Sequence, residues 1–138
     1  MSAMKLAELS SRSIVIFGLG LEGVSTFEFL RGVFPHKPIG LADQKSPDQL
    51  DPEVWEKIQS DANVRLHLGA DQLAGLREYE VIIKSPGIPP HLPLVRQALQ
   101  AGQRVTSPTA IFFANCPGVI VGVTGTKGKS TTASLIHA

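Results

Sequence analysis

Short apolar runs alternate with amphipathic segments along most of the chain. Ile14 to Phe17 is a β-branched and aromatic run that ends at a glycine, which predicts a strand followed by a turn. The segment from Leu21 to Leu30 then places Val24, Phe27 and Leu30 on one helical face. The amino-terminal part of the chain is therefore predicted to be a strand, a tight turn and a helix.

The same alternation continues towards the carboxyl end. Apolar runs bounded by Gly and Pro predict further strands at 38–42, 64–68, 79–84 and 105–106, and amphipathic segments predict helices at 53–60, 92–101 and 108–114. The run YEVIIK is nearly continuous in its apolar character, which is typical of a strand buried on both faces of a parallel sheet. We therefore predict an α/β fold, with a Rossmann-like parallel sheet and helices on both of its faces.

A Cys-Pro-Gly segment at 116–118 separates this pattern from a second unit. An apolar run at 119–123 follows it, and then come a glycine-rich loop and a helical tail. We predict a Rossmann-like domain over residues 1–117 and the beginning of a second, truncated α/β domain over 118–138. A lone strand cannot bury both of its faces, so we expect 119–123 to be disordered, to fold back on its own domain or to pair with another copy.

Composition narrows the class of protein. Hydrophobic residues make up 43% of the chain and charged residues 18%, which is typical of a soluble globular core. A net charge of +1 lacks the basic bias of a nucleic-acid-binding protein, and no apolar run approaches the ~20 residues of a membrane span. Cys116 cannot form an internal disulfide, and the first residues lack a secretion signal. We expect a cytoplasmic protein without nucleic-acid or membrane partners.

The first glycine loop follows the first predicted strand directly. Gly18, Gly20 and Gly23 match G-x-G-x-x-G, and Asp43 ends the second strand. Glycines at these positions allow a sharp turn, close approach of a ligand and close packing of helix on strand, while Asp43 can accept a ribose or base hydrogen bond. The pattern predicts a nucleotide-diphosphate site. A nicotinamide dinucleotide is the obvious candidate ligand for such a loop, although the same geometry suits any nucleotide diphosphate. Glycines that serve tight packing alone are another interpretation.

The second glycine loop has the sequence TGTKGKST. It departs from the usual G-x-x-x-x-G-K-[ST] pattern, because Val123 stands at the position of the first glycine. Its place between an apolar run and a helical segment predicts a phosphate-binding loop, in which Lys129 would add a positive charge and the Ser130 hydroxyl could bind Mg²⁺. The alternative is a surface turn that carries lysines.

Four segments, taken in order, resemble the amino-terminal part of the bacterial Mur ligases: IVIFGLGLEG, LAD, IIKSPGIP and VGVTGTKGKSTTASL. Members of this family have a Rossmann-like domain that binds UDP, a central ATPase domain and a third domain that binds an amino acid. The resemblance implies ATP-dependent amide bond formation through an acyl phosphate, with Mg²⁺, in peptidoglycan precursor synthesis. It also implies that Lys129 lies at the β- and γ-phosphates of ATP and acts in catalysis, and that Ser130 binds Mg²⁺. The ATP-binding residues that the resemblance implies are Gly125, Thr126, Lys127, Gly128, Lys129, Ser130 and Thr131.

Carried over by position, the resemblance implies a pocket for the UDP substrate lined by Gly18, Gly20, Leu21, Glu22, Gly23, Asp43, Gln44, Lys45 and Gly87. Three places depart from the family, and one of them is 107–109, which lacks an acidic residue that is common there. Glu22 stands where a small or hydroxyl residue is common, and its carboxylate would repel a pyrophosphate unless it turns outward. Lys127 replaces a common asparagine, which could strengthen the attraction of phosphate.

Within the family, the segments GLGLEG and SPGI favour the branch that adds D-glutamate to UDP-N-acetylmuramoyl-L-alanine. Other Mur-type ligases, the folate-polyglutamate enzymes and a noncatalytic module of the same fold remain alternatives. An NAD-dependent oxidoreductase would explain the first loop but not TGTKGKST. We expect a monomeric parent ligase, a fragment that is inactive alone, and self-association of the fragment through its tail as one outcome.

Overall fold

A five-stranded parallel sheet forms the centre of the computed structural model, which describes residues 1–137. Its strands are β1 (Ile14–Phe17), β2 (Ile39–Asp43), β3 (Val64–Leu68), β4 (Val81–Lys84) and β5 (Arg104–Thr106). They lie in the order β3-β2-β1-β4-β5, and every neighbouring pair is parallel. The order reverses direction between β1 and β4, which is where open α/β sheets bind ligands.

Helices connect the strands, and their bounds agree with the prediction to within a few residues. They are α1 (Leu6–Ser11), α2 (Leu21–Val33), α3 (Pro52–Gln59), α4 (Pro93–Gln100), α5 (Pro108–Asn115) and α6 (Lys129–His137), with 3₁₀ helices at Pro47–Gln49 and Ala70–Glu78. The sequence pattern missed α1 and both 3₁₀ helices. Helix α1 buries only Leu9, so it has no apolar periodicity to detect. None of the helices within residues 1–137 is long and apolar enough to cross a membrane.

Each face of the sheet has its own hydrophobic core. On one face, Ile16 of β1 belongs to a cluster with Phe27 of α2 and Ile111 of α5. On the other face, Phe17 belongs to a cluster with Val95 of α4 and residues of the second 3₁₀ helix. All four residues of β1 are buried because both faces are covered, and this confirms the predicted Rossmann-like α/β fold.

The strand register brings three chain segments to one edge of the sheet. Phe17, the last residue of β1, lies opposite Ala42 of β2 and Lys84 of β4. The turns that follow these three strands therefore begin side by side. This edge carries the first glycine loop, Asp43 and the turn after β4.

The strand predicted at 119–123 is absent from the structure. Residues 116–128 form neither helix nor strand, and Val119 is 96% exposed. A β-branched run becomes a strand only where a neighbouring strand accepts its hydrogen bonds, and no strand within residues 1–137 does so. Among those residues, no hydrogen bond joins 117–137 to the preceding domain, so folding back is not observed. Pairing with another copy stays a prediction.

Candidate functional site

The three glycines of the first loop have different structural roles. Gly18 has φ +98°, a conformation that side chains rarely adopt, so the turn itself requires glycine there. A Cβ atom at Gly23 would lie 1.8 Å from the carbonyl oxygen of Gly18, so close packing of α2 on β1 requires glycine at position 23. Gly20, at the amino end of α2, is exposed and has no atom within 4 Å of the position of a Cβ. Packing does not explain Gly20, and its open side is where a ligand can approach the backbone.

Asp43 joins the turns that follow β1 and β2. Its Oδ2 accepts a hydrogen bond of 2.6 Å from the backbone N–H of Leu19, and its Oδ1 accepts one of 2.9 Å from that of Lys45. This structural role was not foreseen from the sequence, which suggested only a contact with ribose or base. An ionised carboxylate has about four lone-pair sites, so Asp43 can accept a ligand hydrogen bond in addition to these two.

Removal of the Asp43 carboxylate should destabilise the chain. We expect Asp43→Ala to lower the free energy of unfolding by about 2 kcal/mol, because two backbone N–H groups lose a charged acceptor. Asp43→Asn keeps one acceptor oxygen in the same shape and should cost about half as much. Urea unfolding measures both variants, and equal midpoints for Asp43→Ala and the parent chain would contradict this role.

The turn after β4 is attached to the first glycine loop. Ser85, which is 7% exposed, donates its hydroxyl to the carbonyl oxygen of Gly18 at 2.8 Å. Lys84, which is 3% exposed, donates from Nζ to the carbonyl oxygen of Ile88 at 2.6 Å. Sequence reasoning selected Gly87 in this turn but missed Lys84 and Ser85. The available signal was a lysine at the end of an otherwise apolar strand.

The residues predicted to bind UDP come together at this carboxyl edge, and most of those beyond the glycines are exposed. Leu21 is 86% exposed at the start of α2, and Gln44, Lys45 and Gly87 are exposed on the turns after β2 and β4. The buried glycines shape the floor, and the exposed side chains surround it. The arrangement is an open cradle at the switch point of the sheet, which suits a nucleotide with an extended diphosphate.

An apolar groove of about 630 Å³ lies beside the cradle, between α2 and α5. Its lining includes Leu21, Phe29 and Phe112, and the exposed Glu22 borders it. Only Leu21 and Glu22 belong to both the groove and the predicted UDP pocket. A groove with so few polar groups offers little to a diphosphate, so the cradle and the groove are distinct features.

The second glycine loop precedes α6. Gly125 and Gly128 have φ of +146° and +78°, and the N–H of Thr132 donates to the carbonyl oxygen of Gly128 at 2.9 Å in the first helical turn. The amino end of α6 offers free N–H groups, and Lys129 and Ser130 are exposed. These donors fit ATP phosphates, and a hydroxyl oxygen fits Mg²⁺. Within residues 1–137 no three His, Cys, Asp or Glu side chains cluster as metal ligands. Ser130, which is exposed, stays a prediction as the Mg²⁺ ligand of the loop.

The two loops are not joined in the described part of the chain. No hydrogen bond or ion pair among residues 1–137 connects the loop at 124–131 with the cradle. The structure therefore presents two separate candidate anion sites.

The titratable groups with displaced pKa values lie away from both loops. Burial raises the pKa of Tyr79, whose hydroxyl is 2.9 Å from Nε2 of His67. Burial lowers the pKa of Lys37, and the backbone N–H of Lys5 together with Arg104 lowers that of Glu8. The shifts of these three groups come from burial or from neighbouring hydrogen bonds, and none of the three belongs to the candidate sites.

Comparisons with known proteins agree with the fold. The family described as Mur ligase MurD-like, N-terminal domain, matches residues 12–107. The UDP-N-acetylmuramoylalanine–D-glutamate ligase of Roseiflexus sp. is 32% identical over 95% of this chain, and the enzyme of the same name from Desulfitobacterium hafniense is 34% identical over 93%. The UDP-N-acetylmuramoyl-L-alanine–L-glutamate ligase of Xanthomonas oryzae is 30% identical over 96%. The chain spans only 27–28% of the length of these relatives.

Proposed function

This chain belongs to the Mur ligase family, and from that membership we propose that its carboxyl-edge cradle binds the UDP part of UDP-N-acetylmuramoyl-L-alanine. The relatives carry this substrate in their names. The observation that most supports the proposal is Gly20, whose missing side chain leaves the backbone open at the amino end of α2. Asp43 would accept a hydrogen bond from the ribose or base, and the N–H groups at the start of α2 would face the diphosphate.

We propose further that residues 118–138 begin the central ATP-binding domain of a ligase. Gly125 to Thr131 would hold the phosphates of ATP, with Lys129 at the β- and γ-phosphates and Ser130 at Mg²⁺. The positive φ of Gly125 and Gly128 and the helix that starts at Lys129 support this assignment. Such a loop offers N–H groups, an ammonium and a hydroxyl at one point of the chain.

The reaction proposed for the complete protein is ATP-dependent amide bond formation. A carboxylate is a poor electrophile, so the substrate carboxylate first attacks the γ-phosphorus and becomes an acyl phosphate, with ADP as leaving group. The amine of glutamate then attacks the acyl carbon and phosphate leaves. Lys129 would stabilise the negative charge that develops during phosphoryl transfer. Bound Mg²⁺ neutralises phosphate oxygens. This chain matches 28% of its relatives' length, and we do not expect it to catalyse ligation alone.

For the amino acid we propose D-glutamate. Relatives named for D-glutamate and for L-glutamate resemble this chain about equally, at 28–34% and 30–33% identity, so a direct assay has to decide between them. We expect the complete protein to release phosphate from ATP with UDP-N-acetylmuramoyl-L-alanine and D-glutamate. Release with L-glutamate, L-alanine or a diamino acid in place of D-glutamate would reassign the enzyme within its family.

Ligand titration of the 138-residue chain tests the UDP site directly. UDP at about 100 times its Kd should stabilise the chain by ~2.7 kcal/mol, whereas NADH at the same concentration should leave its Tm unchanged. Gly20→Val is the matched variant, because its side chain has room in the fold but would occupy the space of the ligand. We expect it to fold and to lose the stabilisation by UDP. Stabilisation by NADH alone would favour an oxidoreductase.

A further inference from the structure

Lys84 is a buried cation without an acidic partner. It ends β4 with 3% exposure, and none of the ion pairs among residues 1–137 includes it. Buried charges are normally paired because their desolvation is costly. An apolar residue at the end of β4 could be buried without this electrostatic cost, so the lysine is expected to have a role beyond packing.

The ammonium of Lys84 closes the turn after its own strand. Nζ donates to the carbonyl oxygen of Ile88 at 2.6 Å and to that of Ser85 at 3.3 Å. The N–H of Ile88 donates to the same Ser85 oxygen at 3.0 Å. The two ends of the turn are thus joined through one side chain, and the exposed Gly87 lies between them.

Residues 85–88, which form this turn, are also hydrogen-bonded to the first glycine loop. The N–H of Ser85 donates to the carbonyl oxygen of Phe17 at 2.9 Å, and its hydroxyl donates to that of Gly18 at 2.8 Å. The side chain of Ile88 lies 3.0 Å from where a Cβ of Gly18 would be. A shift of the turn would therefore move atoms that contact the floor of the cradle.

We propose that Lys84 is a positioning residue for the uridine diphosphate ligand. It acts through the 85–88 turn, holding Gly87 and the glycine loop in one arrangement, and does not itself contact the ligand. This inference rests on the proposed UDP site and deepens it.

The test measures the Kd of UDP for the 138-residue chain by calorimetry. Lys84→Met keeps the apolar stem and removes the charge and both hydrogen bonds, and we expect binding to weaken about tenfold, the scale of one charged hydrogen bond. Lys84→Arg can still donate to both carbonyl oxygens and should recover most of the affinity. Lys57→Met, which removes an exposed lysine on α3, is the control and should bind as the parent chain does.

A double-mutant cycle separates positioning from general destabilisation. Ser85→Ala breaks the other end of the same connection, so Lys84→Met with Ser85→Ala should bind UDP about as weakly as the poorer single variant. Independent structural damage would instead multiply the two losses. Multiplied losses, or a Kd of Lys84→Met within twofold of the parent, would overturn the inference. If Lys84→Met does not fold, Ser85→Ala is measured in its place, and it should also weaken UDP binding several-fold.

A ligand-free measurement distinguishes this inference from the proposed function. The amide hydrogen of Ile88 should exchange at least ~10 times faster in Lys84→Met than in the parent chain, because the turn loses its closing contact. Absence of UDP binding by the parent chain would refute the UDP site, whereas an unchanged exchange rate of Ile88 would refute the role of Lys84 in the turn.

Discussion

Gly23→Ala is expected to unfold at a much lower urea concentration than the parent chain, with a loss of about 3 kcal/mol or more. The new Cβ would lie 1.8 Å from the carbonyl oxygen of Gly18 and 2.9 Å from its carbonyl carbon. Both atoms are backbone atoms of a turn that is already attached to Ser85, so no side chain can move to relieve the clash. Helix α2 would have to move away from β1, and the core between them would open.

Gly32→Ala is the matched control for this variant. Gly32 lies in the same helix, and no atom lies within 4 Å of its added Cβ. Alanine in a helix is favoured over glycine by roughly 0.5–1 kcal/mol, so this variant should be slightly more stable than the parent. Similar unfolding midpoints for the two alanine variants would contradict close packing at Gly23.

Lys129→Ala in the complete ligase should lower kcat by about 10³-fold or more. Lys129 is the first residue of α6, directly after the positive-φ Gly128, where its ammonium can reach phosphates held by the helix amides. Charge that develops during phosphoryl transfer would lose its principal cationic partner in this loop. Steady-state release of phosphate measures the effect, and the KM for the UDP substrate should change little because the proposed site of that substrate is the cradle and not this loop.

Lys127→Ala is the control for loop charge. It removes a lysine from the same exposed loop but not from the G-K-[ST] position, so we expect kcat to fall by less than about tenfold. Full turnover by Lys129→Ala would show that this loop does not serve the ATP step. Equal losses for the two variants would assign the effect to net loop charge instead.

The sequence predicted the bounds of those strands whose own residues have a clear strand pattern. Ile14–Phe17 and Val64–Leu68 are strands with the predicted bounds. The first is a β-branched and aromatic run, the second alternates apolar and polar residues, and a glycine follows each of them, so both have strong local signals. Helix α1 was missed because six residues with one buried leucine have no measurable period. The strand predicted at 119–123 was wrong, because a strand needs a neighbouring strand to pair with and local composition does not reveal one.

Part of the candidate site was predictable because it, too, has a local sequence pattern. Glycines that follow a strand, together with an acidic residue at the end of the next strand, indicate a nucleotide site from their spacing alone. The order of the strands was not predicted, and it brings Asp43 to Leu19 and Ser85 to Gly18. The burial of Lys84 and its hydrogen bonds to Ser85 and Ile88 also became evident only in the structure.

By itself, the sequence determined the alternation of strands and helices, the two glycine turns and the chemistry that each can offer to phosphate. These are properties of neighbouring residues, because periodicity and turn geometry act over a few positions. Only the tertiary structure decided which turns meet and which buried groups join them. The contacts that build the cradle link residues 24 and 67 positions apart, and such distant pairs are set by the order and register of the strands.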